Sequence, residues 1–282
     1  MMPWPADYQR RWTLANGIAC SGVGLHSGAS ATVRLVPREA GGLWIGKGTG
    51  NASRALHSNL VRPSRLCTLV QLASGTIATV EHLLAAIGGC GITDLEILVD
   101  GEEIPLLDGS ALPWVELFSS AGLEDLGPRQ PLPALGETIC IQQGDAFIRA
   151  TPCEQLRLSA AVNYASKAIG PLLYELDLNP ASFVAELSSA RTFGFADQIG
   201  QLQAAGLIRG GSLDNALVCD QQRWLNPPLR FSDEPVRHKL LDLVGDLALA
   251  SFPRAHVFAY RGSHALHIQL AQALDHALGE PV

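Results

Sequence analysis

Positive charge is scarce in this chain. Its 20 Lys and Arg residues stand against 27 Asp and Glu, a net charge of −7. That balance argues against general binding of nucleic acid or of an anionic membrane. Long apolar runs are missing, so no segment reads as a membrane span, and the first residues lack the apolar stretch of a secretory signal. The six cysteines (Cys20, Cys67, Cys90, Cys140, Cys153, Cys219) never pair as Cys-x-x-Cys. This excludes a cysteine zinc knuckle and makes buried free thiols in a reducing cytoplasm the expectation. Neither a low-complexity tract nor a sequence-level repeat is found.

What is present is an ordinary soluble composition, 47% hydrophobic and 17% charged over 282 residues, enough for two domains with a substantial core. Segments 31–36, 65–70 and 95–99 read as strands, and 80–88 and 111–121 as helices. Gly127-Pro-Arg-Gln-Pro-Leu-Pro133 holds three prolines in seven residues and is the clearest break. The expected division is an N-terminal domain over 1–126, a linker over 127–136 and a C-terminal domain over 137–282. Strands resume at 138–142, 146–150 and 156–162, and helices at 194–205, 235–250 and 264–277. Strands and helices come in clumps rather than strict alternation, so the class is α+β.

The segment His238-Lys-Leu-Leu-Asp242-Leu-Val-Gly-Asp246 carries chemistry. An α-helix turns about 100° per residue, so His238, Asp242 and Asp246 share one face. A histidine and a carboxylate four apart can point into one metal coordination sphere, or can form a surface ion pair. A second segment, Thr79-Val-Glu81-His82-Leu-Leu-Ala-Ala-Ile87, reads as a helix start with Thr79 as N-cap and Leu83, Leu84 and Ile87 as an apolar stripe. Together His82, His238 and Asp242 make three protein ligands, the count that leaves a fourth zinc position open, with Glu81 as a nearby base.

On these residues the chain resembles the zinc-dependent UDP-3-O-acyl-N-acetylglucosamine deacetylases of lipid A biosynthesis. Further motifs follow in family order: Ser21-Gly-Val-Gly-Leu-His26-Ser-Gly, Gly91-Ile-Thr-Asp94, Glu103-Ile-Pro-Leu-Leu-Asp108-Gly-Ser-Ala, Ala190-Arg-Thr-Phe-Gly-Phe195, Gly210-Gly-Ser-Leu-Asp-Asn-Ala216 and Leu229-Arg-Phe231. The resemblance implies two similar two-layer domains, each a sheet covered by helices, with the helix layers face to face and a small insert in each domain. The C-terminal insert would lie near 195–222. It implies removal of the N-acetyl group, the committed step of lipid A biosynthesis, with one Zn2+ per chain and Fe2+ as an alternative.

By the same resemblance, Glu81, His264, Thr192, Lys239 and Asp246 are the catalytic set. Glu81 would take a proton from water, His264 would protonate the departing amine, and Asp246 would orient His264. Thr192 and Lys239 would support the oxyanion or the substrate. Phe195, Ile199, Ile208, Gly211, Ser212 and Ala216 would line an acyl passage, with Phe193 beside them, and Tyr164 would stand near the uracil. The expected partner is an acylated UDP-amino-sugar, with no nucleic acid, no membrane segment and a monomeric chain. His26 receives no chemistry, and His57, His256 and His276 read as surface or packing residues.

The chain departs from the family pattern in places. Asn163-Tyr-Ala-Ser-Lys-Ala-Ile169 replaces an aromatic followed by His-Pro. Arg261-Gly-Ser-His264 replaces Lys-Ser-Gly-His, exchanging glycine and serine. His267 stands where asparagine is typical, and Pro235 where phenylalanine is common. Proline is tolerated at a helix start. The altered 163–169 stretch keeps open a related metalloamidase on a different acyl-sugar. A non-catalytic homologue binding nucleotide sugar or acyl chain is the third reading, and the full set of acid, base and ligand residues speaks against it.

Overall fold

Alternating burial along Ser30–Pro37, Leu95–Asp100 and Ala255–Tyr260 marks strands with one face under a helix layer. The computed structural model describes residues 4–48, 53–62, 64 and 66–279. Two five-stranded sheets dominate. The first runs, edge to edge, Ile18–Val23, Ser30–Pro37, Leu95–Asp100, Leu43–Lys47 and Arg54–Ala55. The second runs Ile139–Gln143, Ala146–Pro152, Ala255–Tyr260, Arg157–Asn163 and Pro171–Asp177. Both have the same order by chain position: first, second, fifth, third, fourth. Both place their single parallel pair between the fifth and third strands.

Among the described residues six α-helices accompany the sheets: α1 (Glu81–Gly89), α2 (Leu112–Ala121), α3 (Pro180–Glu186), α4 (Ala196–Ala204), α5 (Glu234–Leu247) and α6 (His264–Leu278). Helix α1 precedes and α2 follows the fifth strand of the first sheet; α5 and α6 take the same places around the second. Each half carries an insert between its fourth strand and its first long helix. In the first half this is a three-stranded sheet (Val61–Arg62, Leu69–Leu72, Gly75–Ala78). In the second it is α3 and a parallel pair, Phe193–Phe195 with Leu217–Cys219, bracketing α4. The chain is α+β.

Helices α1 and α5 lie against each other. Gly245 allows it: a Cβ there would collide with the Glu81 carbonyl oxygen. The α1 residues Leu83 to Ile87 are all at most 1% exposed, so the expected apolar stripe is a helix buried on every side. Further links join the halves: Ala111 N–H to Ser188 O (2.9 Å), Thr192 N–H to Gly109 O (2.8 Å) and Arg230 Nη2 to Asp108 Oδ2 (2.8 Å).

Several expectations need correction. Thr79 does not cap α1. It sits at φ 58°, and its hydroxyl donates to Glu103 Oε1 (2.8 Å), leaving Val80 as the N-cap. The helix expected from 194 starts at Ala196, because Phe193–Phe195 pairs as a strand. The strand expected at 65–70 is Leu69–Leu72, and Arg65 lies outside the described residues. All six thiols are free, but only Cys67, Cys90 and Cys219 are buried; Cys20 and Cys153 are half-buried, and Cys140 is exposed because it alternates outward on an edge strand. Pro235 sits in the first turn of α5 as expected. No helix among the described residues is long and apolar enough to cross a membrane.

Candidate active site

The contact between α1 and α5 brings residues 82 and 242 together. His82, His238 and Asp242 are all buried, and each offers one ligand atom within 4.8 Å of the others. His238 Nε2 is 3.3 Å and His82 Nε2 3.6 Å from Asp242 Oδ1. The two rings stand edge to face, 5.0 Å between centroids. His238 Nδ1–H donates to the Ala190 carbonyl (3.0 Å), which turns the Nε2 lone pair toward Asp242. Burial drives the His238 pKa down to about 3, so the ring stays neutral. Two imidazoles and a carboxylate are a borderline donor set that suits a divalent transition metal. The buried His82 Nδ1 has no hydrogen-bond partner. These residues fit a metal ion.

Asp242 Oδ2 accepts from Lys239 Nζ at 3.0 Å. Burial favours the neutral acid, yet the Lys239 ammonium holds the Asp242 pKa well below the usual range. Glu81 is buried; its Oε2 accepts from the Thr68 backbone N–H (2.9 Å), and its Oε1 lies 3.8 Å from His264 Nε2. Burial raises the Glu81 pKa, as a general base requires. His264 Nδ1–H donates to Asp246 Oδ2 at 2.8 Å. Burial works against the imidazolium, but Asp246 and Glu81 outweigh it and push the pKa up to about 10. One group is a stronger base than usual, and the group opposite is a cationic acid.

The chain matches the family model of LpxC, UDP-3-O-acyl N-acetylglycosamine deacetylase, over residues 11–276. It belongs to this family. A relative from Nostoc sp. named UDP-3-O-acyl-N-acetylglucosamine deacetylase is 47% identical over 274 residues, covering 94% of this chain and 98% of its own length. Relatives of the same name from Synechocystis sp. and Pasteurella multocida are 46% and 40% identical. They cover 93% of this chain each, and 97% and 88% of their own lengths.

Beside the LpxC-family cluster stand three aromatic rings. Phe193 lies 6.3 Å from the His238 ring and has Lys239 Nζ 5.8 Å from its centroid. Tyr164 packs on Phe193 (5.7 Å) and Phe195 (5.3 Å). Thr192 begins this segment and caps no helix, since α4 starts at Ala196 with Phe195 at its N-cap position. Ile199 lies on α4 and Ile208 in the left-handed turn that follows, both half-buried; Gly211 and Ser212 are exposed, and Ala216 precedes Leu217–Cys219. These passage candidates belong to the insert rather than to α1 or α5. The insert reaches the first half through Gly210 N–H to Leu25 O (2.9 Å) and Arg209 N–H to His26 O (3.3 Å).

Three residues escaped the sequence reading. Thr68 bridges the site: its N–H holds Glu81, and its hydroxyl donates to Asp246 Oδ1. It reads as one polar residue in an apolar strand, and its sequence position carries no signal. Burial lowers the His26 pKa, and both its ring nitrogens are buried without partners. His267 Nδ1 reaches Asp246 Oδ2 at 2.8 Å; its spacing three residues after His264 was the available signal. Asp246, His264 and His267 also offer three donor atoms within 4.8 Å. His264 Nδ1 and His267 Nδ1 each lie 2.8 Å from Asp246 Oδ2, the distance of a hydrogen bond, so the trio reads as a proton network.

Proposed function

We propose that this chain hydrolyses the N-acetyl group of a UDP-3-O-acyl-N-acetylglucosamine, giving acetate and the free amine. This is the deacetylation of lipid A biosynthesis. The observation that carries the reading is the opposed pair Glu81 and His264, 3.8 Å apart beside the His82, His238 and Asp242 donors. Family membership over residues 11–276 supports it.

His82, His238 and Asp242 would hold the metal, with zinc as our assignment. When bound, it supplies a Lewis acid that polarises the acetamide carbonyl and acidifies water. Glu81 takes a proton from the attacking water, and its second oxygen stays fixed by Thr68. His264, kept cationic by Asp246, gives a proton to the departing amine. Lys239 holds Asp242 and adds positive charge on the side of Phe193. Thr192, two residues from the carbonyl that fixes His238, offers its hydroxyl to the oxyanion. Tyr164, Phe193 and Phe195 form an apolar wall, and Ile199, Ile208, Gly211, Ser212 and Ala216 carry the acyl passage on the insert.

We read the domains as 1–126 and 137–282, although Gly127 and Pro128 still pair with Arg11 and Arg10 in a strand. Six free thiols suit a reducing cytoplasm, and the chain is taken as a monomer. The test is metal analysis combined with acetate release from the acylated nucleotide sugar. One zinc per chain and turnover are expected. Zinc without turnover favours another acyl-sugar amide, and the absence of both zinc and turnover would overturn the reading.

A further inference from the structure

His267 lies one helical turn beyond His264 on α6 and is 1% exposed. Its Nδ1 stands 2.8 Å from Asp246 Oδ2, the same oxygen that His264 Nδ1 reaches at 2.8 Å. A ring nitrogen at that distance from a carboxylate must donate, so His267 carries its proton on Nδ1. Its Nε2 is left buried with no partner. An unpaired buried polar atom is costly, and the Nδ1 contact is the compensation the ring receives. Beneath the ring lies Gly262, where a Cβ would come within 2.6 Å of Nε2. The two departures from the family pattern in this segment are therefore linked. A glycine at 262 clears space for an imidazole at 267, and the displaced serine, Ser263, caps α6 by accepting from Leu266 N–H (3.4 Å).

We propose that His267 is a positioning residue for deacetylation: it donates to Asp246 Oδ2 and so fixes the carboxylate that orients His264, with Gly262 as the space that admits its ring. The kinetic part rests on the deacetylase reading. Asp246 is held by three donors: the Thr68 hydroxyl on Oδ1 and two imidazoles on Oδ2. Thr68 comes from the first-half insert, and both imidazoles come from α6. Without His267, Oδ2 keeps one donor and the carboxylate gains freedom to swing. His264 swings with it, away from Glu81.

The test combines imidazole nitrogen NMR of the full-length protein with kinetics of three variants. His267 should appear as the Nδ1–H tautomer, with a resonance that disappears in His267→Leu. His267→Leu should lower kcat about ten- to a hundredfold with KM nearly unchanged, the mark of a misplaced acid rather than a lost binding contact. His267→Asn, whose side-chain amide can donate from nearly the same place, should recover most of that loss. Gly262→Ala should lower kcat in the parent but add little in the His267→Asn background, because the side chain it collides with is shorter there.

An Nε2–H tautomer would overturn the proposal. So would an Asn variant no better than Leu, or equal effects of Gly262→Ala in both backgrounds. A parent protein without turnover on the acylated nucleotide sugar would instead remove the deacetylase reading, and the tautomer would still decide what His267 does.

Discussion

Glu81 and His264 face each other across 3.8 Å, and both hold a proton more strongly than usual. Burial raises Glu81, and the carboxylates around His264 raise it to about 10 despite its own burial. Glu81→Gln keeps the shape and the Thr68 contact but cannot take a proton. Turnover should fall by about 10²- to 10⁴-fold with bound metal unchanged; a near-normal rate would remove Glu81 as the base. The His264 shift also makes a stability prediction. Its folded pKa lies above the unfolded value of 6.5. Its contribution is therefore whole below pH 6.5 and is lost as pH rises from there through about 10. Urea unfolding of the metal-free protein tests this against His264→Gln. The stability gap between the two should be larger at about pH 6 than at about pH 10; a gap that widened with pH would contradict the assigned charge.

At the scale of elements, the face of α5 was legible because 100° periodicity puts His238, Asp242 and Asp246 on one side whatever surrounds the helix. The cap of α1 was not. Thr79 has the right chemistry for a cap, but a distant carboxylate, Glu103, takes its hydroxyl. Short strands such as Phe193–Phe195 were lost because three residues carry no measurable period and their partner lies past α4. The helix contact itself turns on Gly245, where any side chain meets the Glu81 carbonyl oxygen. Gly245→Ala should destabilise the protein by about 1–3 kcal/mol or more, the range for overpacking a dense core. Because α1 and α5 each carry donors, the same change should weaken metal binding. Urea unfolding and a competition titration with a chromophoric chelator measure the two effects. A loss of stability with intact metal affinity would mean that the helices do not set the donor spacing.

The whole molecule repeats itself in strand order but not in residues. Each sheet runs first, second, fifth, third, fourth, with an insert before the helix that supplies donors. No sequence repeat marked this, because topology constrains where apolar residues fall and not which ones they are. The halves have diverged in the parts that matter chemically: α1 gives Glu81 and His82, and α5 gives His238, Asp242 and Asp246. A metal held by His82, His238 and Asp242 therefore ties the first half to the second across the α1 and α5 contact. A ligand bound only by the folded state stabilises it, by about 2.7 kcal/mol when free metal is a hundred times its dissociation constant. For a chain of this size that corresponds to a fall in Tm of about 5 °C on chelation. Zinc should restore the lost degrees in the parent but not in His82→Ala or Asp242→Ala, one ligand removed from each half. One continuous apolar cluster spans both sheets, so far-ultraviolet circular dichroism and tryptophan fluorescence should trace a single coincident transition with and without metal. Two separated transitions after chelation would mean that the metal, rather than the apolar contact between α1 and α5, joins the halves.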